Sequence, residues 1–204
     1  MYDWLLERKI TDGNTPNYVV VVITETDLLM EGGGETLEKF LDWSAEWNIE
    51  RVNVHISLLD TVSENQESIV EEVSERLSNL KYSFTETTGN EPRFESDEHR
   101  FQICIGIEGR NEFVNALQKI GDKVKDGDIS AEDIDESDVE DHLVLDGEPD
   151  VIIKTGGEHL TNFMIWQSVY SELYFADFNW QNLRRRDFLR CIRDFQERER
   201  RFGE

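Results

Sequence analysis

The feature that most constrains this chain is a run of six apolar residues, Tyr18 to Ile23, four of them consecutive Val, entered through Pro16 and Asn17. A short β-branched run bounded by turn residues reads as a strand buried on both faces. Glycines at 32, 33 and 34 follow, then Leu37, Phe40, Leu41 and Ser44 at helical spacing, then Val52, Val54 and Ile56 in alternation. Strand, helix and strand in that order make a βαβ unit, which predicts a parallel sheet.

The remaining pattern continues in the same style. Val70, Val73, Leu77 and Leu80 mark a second helix, residues 89–99 a polar loop, and residues 101–107 another strand. Phe113, Leu117, Ile120 and Val124 give the next amphipathic helix. The stretch 126–141 is so acidic that a mobile loop or a short solvated helix is expected, and 126–147 as a whole reads as surface. A short core strand at 151–153 runs into Lys154-Thr-Gly-Gly-Glu, a strand ending in a Gly-rich turn of the anion-binding kind. Residues 163–175 read as a mostly apolar helix, and residues 186–200 as a last helix carrying Phe188, Leu189, Ile192 and Phe195 on one face. The expected architecture is a single α/β domain over residues 1–204, with a central mostly parallel sheet flanked by helices and a helical lead-in at 1–15.

Charge narrows the partners. With 45 acidic against 21 basic side chains, the formal charge is -24, spread along the chain, and such a surface repels nucleic acid and leaves at most peripheral contact with a membrane. Few Lys among the cations, 38% apolar residues and acid-rich loops together suggest adaptation to a salt-rich, halophilic cytosol. Cys104 and Cys191 lack metal-ligand spacing and read as buried or semi-buried thiols. The first residues carry no signal-peptide core and no 18-residue apolar span occurs, so a cytoplasmic location is expected. His55, His99, His142 and His159 share no triad or ligand spacing.

Two long motifs carry a resemblance. Asp150-Val-Ile-Ile-Lys-Thr-Gly-Gly-Glu followed by Leu160-Thr-Asn-Phe-Met-Ile-Trp-Gln-Ser-Val-Tyr-Ser-Glu-Leu-Tyr-Phe175, and Asp187-Phe-Leu-Arg-Cys-Ile-Arg-Asp-Phe-Gln-Glu-Arg-Glu-Arg-Arg-Phe-Gly203, closely resemble the C-terminal signature of cis-prenyltransferases, the family with the undecaprenyl diphosphate synthase fold. They span about fifty residues and are far more specific than a lone Gly-rich loop. The segment 101–116 is similar to the family's central strand, its Tyr-Gly-Gly-Arg turn and the helix beyond, with Gly109, Arg110 and Glu112 matching.

Measured against that resemblance, the N-terminal apparatus is dismantled. The family's Met-Asp-Gly-Asn motif, whose Asp holds Mg²⁺ against the allylic diphosphate, aligns with Ile23-Thr24-Glu25-Thr26, so Thr24 occupies the Asp position without a charge. The Asp12-Gly13-Asn14 triplet precedes the strand and reads as a plain turn. The family's Gly-His-Arg-x-Gly aligns with Leu29-Met30-Glu31-Gly32-Gly33, losing cations whose charge-assisted contacts each contribute roughly 1.5–3 kcal/mol. Phe-Ser-x-Glu-Asn becomes Ile56-Ser-Leu-Leu-Asp60-Thr61, echoed only by Ser57 and Asp60.

The second substrate site, for isopentenyl diphosphate, fares better. Lys154, Gly156, Gly157 and Thr161 stand for the family's Arg-Thr-x-Gly-Glu-x-Arg-x-Ser, although Lys lacks the fork of Arg and the second Arg has no counterpart. Glu172 matches the Glu that the family associates with Mg²⁺, and Arg201-Phe202-Gly203 matches the terminal Arg-x-Gly that reaches the active site across the dimer. Trp166, Gln167, Tyr170 and Tyr174 fall where family dimers pack.

What the resemblance implies is a role in polyprenyl diphosphate synthesis as a pseudoenzyme: an accessory subunit, binding isoprenoid diphosphates with weakened or shared Mg²⁺, as a homodimer or, preferred, a heterodimer with a catalytic homologue. One alternative is an active Z-prenyl diphosphate synthase in which Glu25 or Asp27 replaces the missing Asp. The other is an isoprenoid-diphosphate-binding protein with no catalytic partner.

Overall fold

The computed structural model describes residues 10, 15–59, 66–88, 100–145, 147–156, 163–176 and 179–197. Along the chain it forms β1 (Tyr18–Thr24), α1 (Glu25–Leu29), α2 (Gly33–Glu46), β2 (Arg51–Ser57), α3 (Gln66–Ser78), β3 (Thr85–Thr88), β4 (Phe101–Ile105), α4 (Gly109–Asp126), α5 (Glu136–Glu140), β5 (Val151–Thr155), β6 (Glu172–Ala176), a 3-10 turn (Trp180–Asn182) and α6 (Arg185–Glu197). The strands make one sheet in the order β3-β4-β2-β1-β5-β6, and every neighbouring pair is parallel.

The Val run takes the centre because it alone has no polar face to offer. Alternate side chains go to opposite faces of a strand. Val19, Val21 and Ile23 therefore enter one core with Leu37, Phe40 and Leu41 of α2, Val73 and Leu77 of α3, and Phe188, Leu189 and Ile192 of α6. Val20 and Val22 enter a second core with Ile152, Cys104, Val144, Leu145, Phe163 and Met164. Burying each large aliphatic side chain stabilises by roughly 1.5–3 kcal/mol. Phe40 is the keystone of the first layer, since its ring meets both Trp180 (centroids 6.1 Å apart) and Phe188 (5.6 Å, edge on). Replacing it with Ala should remove about 3–5 kcal/mol.

Three sequence expectations need correction. Residues 163–175 are not a helix: 163–171 form a turn-rich arm in which Met164 has φ +38°, and Glu172 onward is the edge strand β6, paired to β5. A short apolar run has no decisive period, and the free edge of β5 captures it as strand. Within 126–141 the short-helix alternative forms as α5, but 126–147 is not all surface, because Val139, Leu143, Val144 and Leu145 are buried. The strand β3 and the short helix α1 were not foreseen; β3 reads Thr-Glu-Thr-Thr, with no apolar signal at all. Neither cysteine is in a disulfide among the described residues, and both are buried. The lead-in, apart from buried Ile10, the Asp12-Gly13-Asn14 turn and the 89–99 loop lie outside the described residues.

Candidate functional site

β1 is the pivot of the sheet. It pairs with β2 on one side and β5 on the other, so the chain's progress across the sheet reverses there. In an open parallel sheet, the crevice outside the carboxyl ends of such diverging strands is the ligand position. Here its walls are Thr24, closing β1 and in register with Ser57, and Lys154, Thr155 and Gly156, closing β5 with Lys154 in register with Val22.

On the β1 wall the chain satisfies itself. Thr24 is the N-cap of α1: Asp27 N donates to Thr24 Oγ1 at 3.1 Å, while Asp27 Oδ2 accepts from Thr24 N at 3.0 Å and from Thr24 Oγ1 at 2.9 Å. This reciprocal box satisfies amide donors that would otherwise be open to an anion. Its signature, Thr24-Glu-Thr-Asp27, coincides with the segment that aligns with the family's Met-Asp-Gly-Asn motif. Downstream, Met30 N donates to Thr26 O and Gly33 N to Met30 O, both at 3.0 Å. From the other side Trp180 Nε1 donates to Gly33 O and Gln181 Nε2 to Asp27 O, each at 3.0 Å. Gly33, the one glycine kept from the family's loop, has a steric duty here, since a Cβ would lie 2.2 Å from Asp27 O and 2.5 Å from Leu28 O. Met30 and Glu31 are exposed.

The β5 wall keeps a cation. Lys154 is half-buried and its Nζ donates to Thr155 O at 2.5 Å. Burial holds its ammonium below the ordinary lysine pKa, with the Asp27 carboxylate pulling the other way. Across Val22, His55 is buried with its ring 4.2 Å from that of Phe163. Burial, and secondarily the Lys154 charge, push its pKa down to about 3, so it is a neutral packing residue. Gly156 has φ +72°, which explains a glycine at this turn.

Among the described residues this crevice does not assemble a Mg²⁺ site. Thr24 is neutral, the Asp27 carboxylate is committed to the cap, and Glu25 is buried, its Oε2 without a partner among the described residues. No group of three His, Cys, Asp or Glu suited to a metal occurs among the described residues. Glu172 opens β6 in register with Val151, three residues before Phe175, the partner of Lys154. At about 3.3 Å per residue it lies some 10 Å along the strands toward their amino ends, away from the crevice. Arg110 is exposed in the first turn of α4. Gly157, Thr161, Asp60, Arg201 and Gly203 lie outside the described residues.

A second feature extends the region around Trp166 and Tyr170, where family dimers are expected to pack. Val114 and Leu117 of α4 and Ile165, Val169 and Tyr170 of the 163–171 arm are all exposed, Val169 by 67%. The two halves are joined: Phe113 stacks on Trp166 (5.8 Å, 19°), and a Cβ on Gly109 would lie 3.0 Å from Met164 N and 3.2 Å from Ile165. An apolar strip of this kind marks an interaction surface.

Comparison with known proteins then decides the family. The Prenyltransf family model, that of undecaprenyl diphosphate synthases, matches residues 62–203. The chain belongs to this family. It is 33% identical to the tritrans,polycis-undecaprenyl-diphosphate synthase (geranylgeranyl-diphosphate specific) of Picrophilus torridus, over 96% of this chain and 88% of that one. The Thermoplasma volcanium protein of the same name is 32% identical, over 95% of this chain and 86% of its own. Among solved structures, lavandulyl diphosphate synthase from Lavandula x intermedia, in complex with dimethylallyl diphosphate, superposes with a TM-score of 0.71 at 20% identity, covering 93% of this chain and 99% of that one. An undecaprenyl diphosphate synthase structure from Campylobacter jejuni gives 0.68 at 20% identity, covering 94% and 100%. The prenyltransferase fold is thus shared across 93–94% of the chain.

Proposed function

We propose that this chain is the accessory subunit of a two-component Z-prenyl diphosphate synthase, turning over little or nothing by itself and activating a catalytic homologue. The observation that carries the reading is the Thr24–Asp27 capping box. In this reading Thr24, without a charge, stands where the family presents its metal-binding carboxylate, and the nearest acid, Asp27, is engaged in capping the turn. Lys154 on the other wall supports residual affinity for isopentenyl diphosphate, as a point charge without the bidentate fork of Arg.

The exposed strip from Val114 to Tyr170 supports docking of another chain. Its occupant in this reading is a catalytic homologue, which would supply the charged metal-site residue that Thr24 does not. The terminal Arg201-Phe202-Gly203 would then reach the partner's diphosphate.

Co-expression with a catalytic homologue tests this, by pull-down and by a prenyl-transfer assay. The complex should form with wild type and with Arg201→Ala alike, while the variant complex loses about tenfold or more in turnover, the equivalent of a charge-assisted phosphate contact of roughly 1.5–3 kcal/mol. Absence of a complex, or full activity of the variant, overturns the reading.

A second reading, an active synthase, has one observation in its favour besides its relatives' names. Glu25, beside Thr24, is buried with a carboxylate oxygen unpartnered among the described residues, an arrangement expensive enough to suggest a use.

A further inference from the structure

The exposed apolar strip is built from two pieces distant in sequence, and one buried side chain ties them together. Glu112, in the first turn of α4, is 2% exposed, yet its Oε1 accepts from Val144 N at 2.8 Å, Leu145 N at 2.9 Å and Gln167 Nε2 at 3.3 Å. Gln167 Nε2 also donates to Leu145 O at 2.7 Å, and its own Oε1 is buried without a partner among the described residues. Glu112 lies two residues before Val114, and Gln167 two residues before Val169. The carboxylate therefore joins the helix half of the strip to the arm half, with the backbone at 144–145 as the third point of the joint.

Two further contacts join the halves without fixing a direction. Phe113 on Trp166 is a flat stack, and the Gly109–Met164 approach is steric; both permit sliding. A buried carboxylate accepting three N–H donors fixes position, because leaving those donors unpaired is costly. We propose that Glu112 is the positioning residue of the docking face: it sets the register of Ile165, Val169 and Tyr170 against Val114 and Leu117, and thereby the shape a partner chain meets. This rests on the reading that the strip binds a homologous chain.

The test uses the full chain with Glu112→Leu, Glu112→Gln and Val169→Asp. Hydrogen exchange of the free protein comes first and needs no partner. Glu112→Leu should speed exchange by tenfold or more in the 163–171 arm as well as at 144–145, while Val169→Asp leaves the arm protected. Affinity for the catalytic homologue comes second. Glu112→Leu should weaken the complex by about tenfold, the scale of lost hydrogen bonds to a charged acceptor. Glu112→Gln should recover most of it, since it keeps the accepting oxygen and offers an N–H toward the unpartnered Gln167 Oε1. An arm whose exchange is unchanged in Glu112→Leu, or an affinity that Glu112→Leu leaves intact, refutes the positioning role. So does equal loss in the Gln and Leu variants. If wild type binds no homologue, the docking reading fails, while the exchange data still decide whether Glu112 fixes the arm.

Discussion

His55 offers a pH experiment whose sign and size follow from its burial. The side chain is 2% exposed, packed on Phe163, with Nδ1 lacking a partner among the described residues, and its pKa is pushed from 6.5 to about 3, chiefly by burial and then by Lys154. The native state holds the ring neutral, so below pH 6.5 the unfolded chain takes up a proton that the folded chain refuses. For a histidine with a depressed pKa, the stabilisation is complete above pH 6.5 and is lost as pH falls toward 3. By pH 5 the loss is about 2 kcal/mol, and its limit near pH 3 is roughly 5 kcal/mol, at 1.36 kcal/mol per pKa unit. The 45 acidic residues also titrate on this path, which makes the wild-type curve alone uninformative. Comparison with His55→Leu removes their share. Urea unfolding at pH 7.5 and 5.0, in fixed high salt, should show wild type losing about 2 kcal/mol more than the variant between the two conditions. The lost contact with Phe163 shifts the variant equally at both pH values and cancels. Identical losses in the two proteins would refute the burial argument.

Two further outcomes follow from the same structure. At a formal charge of -24, molar salt should screen self-repulsion and raise the melting temperature in a thermal scan, and a melting point indifferent to salt would remove the inference of adaptation to a salt-rich cytosol. Gly33→Ala forces a Cβ to within 2.2 Å of Asp27 O, so it should destabilise by about 1–3 kcal/mol and lower the melting temperature by several degrees; an unchanged melting point would mean that the α1–α2 junction is looser than described.

The parallel sheet was readable because the Val run of β1 has no polar face, which only a strand covered on both sides tolerates, and because strand and helix patterns alternate after it. The edge strands were not. β3 is all polar, and β6, with four half-buried positions, carries a pattern that a helix fits as well; both exist because a neighbouring strand had an open edge. At the site, the loss of charge at Thr24 was visible in the residue alone. The reason nothing is left open there, the cap shared with Asp27, lies in a Thr-x-x-Asp spacing that reads equally as ordinary helix punctuation. Glu112 matched a family residue in the sequence, yet its work depends on Val144, Leu145 and Gln167 arriving from segments 32 to 55 residues away, which no local pattern records.

In the proposed accessory role, the β1 wall of the crevice is closed to catalysis. The direct measurement is incorporation of labelled isopentenyl diphosphate onto farnesyl or geranylgeranyl diphosphate by the purified chain alone, in molar salt with Mg²⁺. No incorporation above background is the predicted result; robust turnover by the isolated chain would contradict it.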